Sequence, residues 1–195
     1  MKIRKAHIKR KTKETDIDLS LNLDRSKKSE INTTIPFMDH MLDLFSAHAG
    51  INLCVKAKGD TEIDDHHLVE DMGIALGLAF KEALGDKKGI ARYGHFLLPM
   101  DEALSYVALD ISGRPHLSYE ADIKFQKEGF NYDLIQEFFT AFVNNASVTL
   151  HIKMIQGRNN HHIAESIFKG FARALSQALI VDKKNKKIPS TKGIL

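Results

Sequence analysis

The sequence has HHLVE at residues 66–70 and HHIAE at residues 161–165, and this repeat decides the fold. A short helix, a strand and a turn are predicted before each copy, and a similar apolar helical pattern follows it. The flanking segments align in register with one small gap, which is typical of an internal duplication. We therefore predict one domain, residues 1–195, made of two similar halves at about 1–92 and 93–195.

The segments around the repeat have the periodicities of strands and helices. Residues 17–23 alternate apolar and polar side chains, which predicts a half-buried strand. Residues 36–50 have helical spacing, with a proline at the start and a glycine at the end. Residues 105–109 and 114–121 predict the opening hairpin of the second half, with its turn at Ser112–Gly113. The other predicted elements are strands at 51–55 and 147–152, helices at about 64–84, 134–142 and 161–179, and a solvated turn at 182–187.

This order of strands and helices predicts an α+β fold in which sheets and helices form separate layers. The composition agrees with one globular domain, with 43% hydrophobic and 27% charged residues and a net charge of +3. No apolar run approaches the length of a membrane span, and no signal-like segment follows the start. We therefore expect no membrane partner.

Ten histidines accompany a single cysteine, Cys54. One cysteine excludes an internal disulfide and a cysteine-based zinc site, and favours a reducing, cytoplasmic compartment. The basic N-terminal stretch is interrupted by Glu14, Asp16 and Asp18 and has no interleaved aromatic residues, which argues against nucleic acid as a partner.

In a helix, the repeat places imidazoles and a carboxylate on one face. His66 and Glu70 are separated as i and i+4, and His67 and Glu70 as i and i+3. Neighbouring histidines diverge by about 100° around a helix, so they suit two metal ions better than one. A single copy could be surface histidines beside a solvated glutamate. Two copies in register indicate a metal site, which is either catalytic or structural.

One further candidate ligand lies in the short helix before each copy. His40 precedes the first copy, and Glu137 has nearly the same place before the second. Asp39 and Asp71 are natural acceptors for the second imidazole nitrogens. Nitrogen and oxygen ligands without thiolate favour a six-coordinate divalent ion such as manganese.

Groups that suit a phosphate monoester are spread over three segments. Arg92 follows the first long helix, Arg114 lies in a turn, and Ser190 and Lys192 belong to PSTKG at 189–193. Each of them alone could be an ordinary surface side chain. Together, with glycines that let the backbone approach closely, they predict a phosphate site. The pattern leaves the role of His48 open.

Many motifs, in order along the chain, resemble the imidazoleglycerol-phosphate dehydratase family. They are KTKET (11–15), FMDHML (37–42), HH with ED (66–71), RYG (92–94), PMDEA (99–103), SGRP (112–115), EFF (137–139), GRN with HH and E (157–165) and PSTKG (189–193). The resemblance runs nearly end to end. It implies a hydro-lyase of histidine biosynthesis that dehydrates D-erythro-imidazole glycerol phosphate to imidazole acetol phosphate. It also implies helices packed between two mainly antiparallel sheets, as in ribosomal protein S5 domain 2.

The resemblance also implies the site residues. The metal ligands would be His40, His66, His67, Glu70, Glu137, His161, His162 and Glu165. The catalytic roles would fall to Glu14, His40 and Glu165. The substrate would be bound by Glu14, His48, Arg92, Arg114, Lys169, Ser190 and Lys192, and all of these except Glu14 and His48 would hold its phosphate.

The implied cofactor is a pair of divalent ions per active site, with Mn²⁺ preferred. They would hold the substrate ring as an imidazolate while hydroxide leaves. The family assembles into shells of 24 subunits with sites between neighbours, so we expect a homo-oligomer. Many relatives carry histidine where this chain has Glu137, which would make one metal shell richer in oxygen. The length leaves room for neither a fused phosphatase nor a transit peptide, so we expect a monofunctional enzyme.

Two other classes of function remain open from the residues. A dinuclear metallohydrolase would use paired ions to activate water and would release inorganic phosphate from an ester. A metal-storage or metal-sensing protein would bind ions through the same histidines without turnover. An assay for the product separates all three classes.

Overall fold

A computed structural model describes residues 3–25, 28–124, 129–182, 184–185 and 187–195. The strands are β1 (Lys5–Lys11), β2 (Thr15–Asn22), β3 (Glu30–Asn32), β4 (Asn52–Gly59), β5 (Tyr93–Met100), β6 (Ala103–Asp110), β7 (His116–Glu120) and β8 (Thr149–Gln156). The helices are α1 (Pro36–Ala49), α2 (His66–Leu84), α3 (Leu134–Ala146) and α4 (Asn160–Ala178). The turn predicted at 182–187 includes residues 183 and 186, which lie outside the described residues.

The two sheets have the same strand order. The first runs β1-β2-β4-β3 and the second β5-β6-β8-β7. In each sheet three strands pair antiparallel, and the edge strand, β3 or β7, pairs parallel with its neighbour. A helix makes the crossover that parallel partners need, α1 in the first half and α3 in the second. The predicted duplication into mainly antiparallel halves is confirmed.

The opening hairpin of the second half differs from the prediction. β6 pairs with β5, and the chain reverses at Asp101–Glu102, whereas Ser112–Gly113 leads to β7 at the far side of the sheet. The predicted pairing across Ser112–Gly113 is therefore wrong. The sequence of β5 does not alternate between apolar and polar residues, so it does not predict a strand. Leu97 has apolar neighbours on both sides, yet it faces outward with 52% of its surface exposed.

The helices fill the space between the sheets. α2 packs on β1 and β2, and α4 packs on β5 and β6. Across the middle, α2 packs against α3 and α1 against α4, so each half covers the helices of the other. Phe80 and Phe142 join α2 to α3 with ring centroids 5.7 Å apart, and Phe45 stacks on Phe171 at 5.2 Å between α1 and α4. The predicted α+β fold, with helices between two sheets, is confirmed.

Glycines allow the closest approaches between these elements. A Cβ at Gly73 of α2 would lie 2.4 Å from the carbonyl oxygen of Phe138 in α3, and Gly77 makes the same kind of approach one turn later. A Cβ at Gly94 of β5 would lie 1.9 Å from the carbonyl oxygen of Ala174 in α4. Real side chains never come so close, so glycine is needed at these positions.

The boundary between the halves, predicted at about residue 92, falls in the connection from α2 to β5. It stays a prediction.

Among the described residues, no helix combines the length and the apolar character that crossing a bilayer requires.

Candidate functional site

One cluster of metal-type donors lies where α1 meets α4. His40 belongs to α1, and His161 and Glu165 belong to the first turns of α4. The Nε2 atoms of His40 and His161 lie 3.2 and 2.9 Å from the same Glu165 Oε1, and the two rings stack with centroids 5.4 Å apart. The three donor atoms lie within 4.8 Å of one another, and no other such group occurs in the described part of the chain.

Glu165 is a buried carboxylate at the centre of this cluster, with 7% of its surface exposed. Burial raises its pKa, but hydrogen bonds from Lys169, His40 and His161 outweigh burial and hold the pKa at about 2. Glu165 is therefore ionised at neutral pH, the form in which a carboxylate binds a metal. Lys169 Nζ also lies 3.5 Å from Met100 Sδ.

His162 turns to a different partner. Its Nδ1 lies 2.7 Å from Oε2 of Glu102 in the β5–β6 turn. Asn159 caps α4 by accepting the backbone N–H groups of His161 and His162, and its own N–H donates to Glu102 at 2.8 Å. The carboxylate thus fixes the His162 ring, as is common for metal-binding histidines, while Nε2 lies 3.7 Å from Oδ2 of the exposed Asp101.

The first copy of the repeat, on α2, has a corresponding arrangement. His67 Nδ1 lies 3.0 Å from Oδ2 of Asp60, which follows β4, so Nε2 is again available. This hydrogen bond, with the negative charges of Glu14 and Asp60, raises the pKa of His67. His66 Nε2 and Glu70 Oε2 are 3.7 Å apart, so this pair lies on one face of α2.

Asp39 and Asp71 do not orient the histidines as predicted. Asp39 accepts the backbone N–H and the hydroxyl of Thr33, both at 2.7 Å, and so anchors the start of α1. Asp71 instead binds Arg10 at 2.7 Å and the hydroxyl of Thr15. The prediction for both aspartates is wrong, because each side chain points from its helix toward the chain of its own half.

Asp60 and Glu102 have the role that was predicted for Asp39 and Asp71, because each of them binds the second ring nitrogen of a histidine. Both lie in turns at the ends of strands, and only folding brings them next to a histidine. Their acidic character and their place in a turn were visible in the sequence. Their partners were not, because a turn can bend toward several neighbours.

Glu14 lies in the β1–β2 turn with its side chain exposed. No side chain of the described residues forms a hydrogen bond or ion pair with its carboxylate. Its backbone carbonyl accepts the N–H of Asp60 at 3.1 Å. The turn that carries Glu14 therefore sits beside the residue that orients His67.

The C-terminal segment is tied to Arg92. Arg92 Nη1 donates to the carbonyl of Pro189 at 2.9 Å, while Nε and Nη2 bind the carboxylate of Asp110 at 2.7 and 3.1 Å. At its other end the segment packs on Gly113, where a Cβ would lie 2.4 Å from the backbone carbon of Leu195. The segment thus runs from Arg92 to the Ser112–Gly113 turn.

This path brings four of the predicted phosphate-binding residues into one region. Ser190 is half-buried, and its hydroxyl accepts the N–H of Lys192 at 3.2 Å. Lys192 and Arg114 are exposed, and Arg114 follows the turn on which the segment ends. Lys169 is not part of this region, because its ammonium binds Glu165.

Two other predicted residues lie apart. Glu137 is half-buried in the first turn of α3, and within the described residues no hydrogen bond joins it to His66 or Glu70. His48 lies in the last turn of α1, where partial burial and the positive charge of Lys169 lower its pKa.

The donor set fits a divalent metal ion. Imidazole nitrogens and carboxylate oxygens converge at His40, His161 and Glu165, and the described residues supply no thiolate there. His67 and His162 each have Nδ1 held by a carboxylate, which fixes the direction of Nε2. A histidine that is merely exposed to solvent does not need a carboxylate to fix its ring, so this arrangement favours metal binding.

The sequence profile of imidazoleglycerol-phosphate dehydratases matches residues 33–175. The chain belongs to the imidazoleglycerol-phosphate dehydratase family. An imidazoleglycerol-phosphate dehydratase from Endomicrobium trichonymphae is 70% identical over 195 residues, covering 100% of both chains. One from Prochlorococcus marinus (strain AS9601) is 57% identical over 196 residues, covering 99% of this chain and 97% of the relative.

Solved structures of imidazoleglycerol-phosphate dehydratases have the same fold. The crystal structure from Staphylococcus aureus subsp. aureus N315 superposes with a TM-score of 0.83 at 44% identity, covering 91% of this chain and 99% of that one. The Pyrococcus furiosus structure, in complex with (S)-C348, gives 0.84 at 40% identity and covers 96% and 100%. Membership of the imidazoleglycerol-phosphate dehydratase family makes this chain a lyase of histidine biosynthesis, which confirms the predicted class of enzyme.

Proposed function

We propose that the chain dehydrates D-erythro-imidazole glycerol phosphate to imidazole acetol phosphate with the help of divalent metal ions. The observation that carries this proposal is the convergence of His40, His161 and Glu165 between α1 and α4. The substrate must lose hydroxide and a proton from the chain beside its ring. That proton is not acidic, because no carbonyl adjoins it, so the ring itself must accept electrons.

Eight side chains would hold two ions per site, and they are His40, His66, His67, Glu70, Glu137, His161, His162 and Glu165. Their mixed nitrogen and oxygen donors favour Mn²⁺ or a similar six-coordinate ion. When bound, the ions supply Lewis-acid chemistry that holds the substrate ring as an imidazolate and makes it an electron sink.

Glu14 is the proposed acid or base. Its exposed carboxylate has no side-chain partner in the described residues, and its backbone carbonyl accepts the N–H of Asp60, whose side chain binds His67. His40 and Glu165 are the other catalytic candidates. With a pKa of about 2, Glu165 is ionised at neutral pH and would supply charge rather than a proton.

The substrate phosphate would bind to Arg92, Arg114, Ser190 and Lys192, with Lys169 and His48 acting near Glu165. Lys169 lies in the middle of α4, whereas Arg92 lies at the C-terminal end of this helix. The backbone N–H of Arg92 donates to Ala178 in the last turn of α4, about 14 Å along the helix from Lys169. The Lys169 ammonium binds Glu165, one turn nearer the start of α4, and so points away from the Arg92 end.

This distribution supports a site that is shared between copies of the chain. The two copies of HHxxE lie on α2 and α4, which pack on different sheets, and among the described residues only three of the proposed ligands converge. A second copy would supply the remaining ligands. A homo-oligomer, with 24 subunits expected from the family resemblance, and a cytoplasmic location both stay predictions.

The proposal is tested by anaerobic metal analysis paired with an assay for imidazole acetol phosphate. We expect bound divalent metal together with formation of this product. Release of inorganic phosphate without the keto product would favour a metallohydrolase. Bound metal without turnover would favour storage or sensing.

Glu14→Gln removes the proposed acid or base and keeps the shape of the side chain. We expect kcat to fall by about 10²- to 10⁴-fold, the usual contribution of a general acid or base, while metal content stays the same. Glu62→Gln is the matched control, because Glu62 is an exposed carboxylate of the nearby loop before α2. Equal kcat for both variants would contradict the role of Glu14, and loss of metal in Glu14→Gln would make Glu14 a ligand instead.

A further inference from the structure

The two equivalent hairpin turns, β1–β2 and β5–β6, use their acidic residues differently. In the second turn, Glu102 binds His162 at 2.7 Å and accepts two backbone N–H groups at 2.8 and 3.3 Å. Its carboxylate is committed to orienting a histidine. In the first half, Asp60 orients His67, and Glu14 keeps an exposed carboxylate without a side-chain partner among the described residues. Both acids of the second turn face His162, with Asp101 Oδ2 3.7 Å from its Nε2, whereas the first turn keeps a glutamate that faces no histidine of the described chain at such a distance.

Hydroxyl groups anchor the backbone of the Glu14 turn. The N–H groups of Glu14 and Thr15 donate to Thr12 Oγ1 at 3.0 and 2.9 Å. Thr12 Oγ1 lies 3.1 Å from Thr15 Oγ1, which donates its proton to Asp71. Because a hydroxyl has one proton, Thr12 must donate to Thr15 while its lone pairs accept the two N–H groups. Every donor in this chain of bonds therefore has a defined direction.

Asp71 ends the chain of bonds inside the protein. It is 8% exposed, and Arg10 Nη2 binds its other oxygen at 2.7 Å. In the second copy of the repeat, Ser166 holds the place of Asp71 and bonds to Ser105 at 2.6 Å. The pair is partly buried, with 31% of the Arg10 side chain exposed, and such a pair contributes little net stability. The pair occurs in the half whose hairpin carries the free glutamate, so a role in positioning explains it better than stability does.

We infer that Thr12, Thr15 and Asp71 are positioning residues that fix Glu14 against α2, the helix that carries the first copy of the repeat. The bond from the Asp60 N–H to the Glu14 carbonyl, at 3.1 Å, holds the other side of the same peptide segment. This inference rests on the proposed function, because it assigns the three residues to the same reaction. They act through Glu14 and do not touch the substrate.

Thr12→Val is the direct test, measured on the assembled, metal-loaded enzyme. Thr12 is exposed, so the change removes the hydroxyl without leaving a cavity in the core. We expect kcat to fall by about 10- to 100-fold, since small displacements of a catalytic group have effects of this size. Metal content should stay within about twofold of wild type, and kcat should change more than KM, because phosphate and metal contacts are intact and Glu14 is one of several substrate contacts. Thr12→Ser restores the hydroxyl and should restore kcat.

Thr15→Val interrupts the same bonds one step deeper, and Ser105→Ala is its control. Both remove one buried hydroxyl, but Ser105 has no connection to Glu14. Wild-type kcat in Thr12→Val, or equal losses in Thr12→Val and Thr12→Ser, would overturn the inference. So would a kcat for Ser105→Ala as low as for Thr15→Val, because general packing would then explain the loss. Failure of the proposed function is distinguishable, because the wild-type enzyme would form no imidazole acetol phosphate.

Discussion

Gly73 and Gly170 are both helical glycines, but their surroundings differ in what can move. A Cβ at Gly73 would lie 2.4 Å from the backbone carbonyl of Phe138, which belongs to a packed helix and cannot swing aside. A Cβ at Gly170 would lie 3.0 Å from Val107 Cγ2, the end of a side chain. The lack of a side chain at Gly73 therefore allows α2 and α3 to pack at this short distance.

Gly73→Ala should lower the stability of the protein, whereas Gly170→Ala should be close to neutral. Overpacking costs about 1–3 kcal/mol, and alanine offsets up to about 1 kcal/mol through its higher helix propensity. Thermal unfolding at equal protein and metal concentrations should give a clearly lower Tm for Gly73→Ala. Equal Tm values for the two variants would mean that α3 moves away at no cost.

The start of α4 carries a cap that the start of α2 lacks. Asn159 accepts two backbone N–H groups of α4, from the residues that carry the imidazoles of the second repeat. At α2 the side chain of Asp65 makes no such bond, and Asp64 accepts the His66 N–H at 2.8 Å instead. The histidine pair thus lies in the first turn of each helix, and a local side chain fixes the backbone there.

Asn159→Ala should destabilise the protein by about 1 kcal/mol and weaken metal binding at the second repeat. The stability loss follows from the unsatisfied N–H groups, and the weaker binding follows from a frayed first turn. Asn159→Asp keeps the acceptor and is the control. Thermal unfolding and metal titration of the stripped protein check both effects, and identical behaviour of the two variants would count against the cap.

The proposed ligands belong to four helices that pack on two different sheets. Within the described residues of one chain, three donors meet, which is fewer than a six-coordinate ion takes. Under the proposed function, metal binding and subunit assembly are therefore linked. Each ion would stabilise the contact between the chains that hold it.

Removal of the metal by chelation should abolish turnover and reduce the size of the assembly. The physical reason is that ligands on separate chains lose the ion that joins them. Light scattering before and after chelation, with an activity assay on the same samples, measures both effects. Readdition of Mn²⁺ is the control for irreversible damage, and unchanged size and turnover after thorough chelation would contradict the prediction.

The long helices were predictable from the sequence because their apolar pattern extends over several turns. The predicted bounds of 64–84 and 161–179 differ by two residues or fewer from His66–Leu84 and Asn160–Ala178. The duplication followed from the same pattern and from the histidine pairs. β5 was missed because an outward-facing leucine interrupted its alternation.

The candidate site was predictable as a set of residue types but not as a set of contacts. Spacing along a helix brought His161 and Glu165 together, because i and i+4 lie on one face. Spacing could not join His67 to Asp60 or assign Asp71 to Arg10, since those contacts depend on how strands and turns pack on the helix. Local periodicity decides which side chains share a face, and tertiary packing decides what that face meets.

The packing of α1 on α4 and of α2 on α3 has a consequence for the origin of the chain. A polypeptide with one repeat would leave one side of each helix in water, and could bury it only against a second copy. His40 would then meet the histidine and glutamate of another molecule, and the site would form only at sufficient concentration. Joining the two repeats in one chain makes this encounter intramolecular, so the cluster survives dilution.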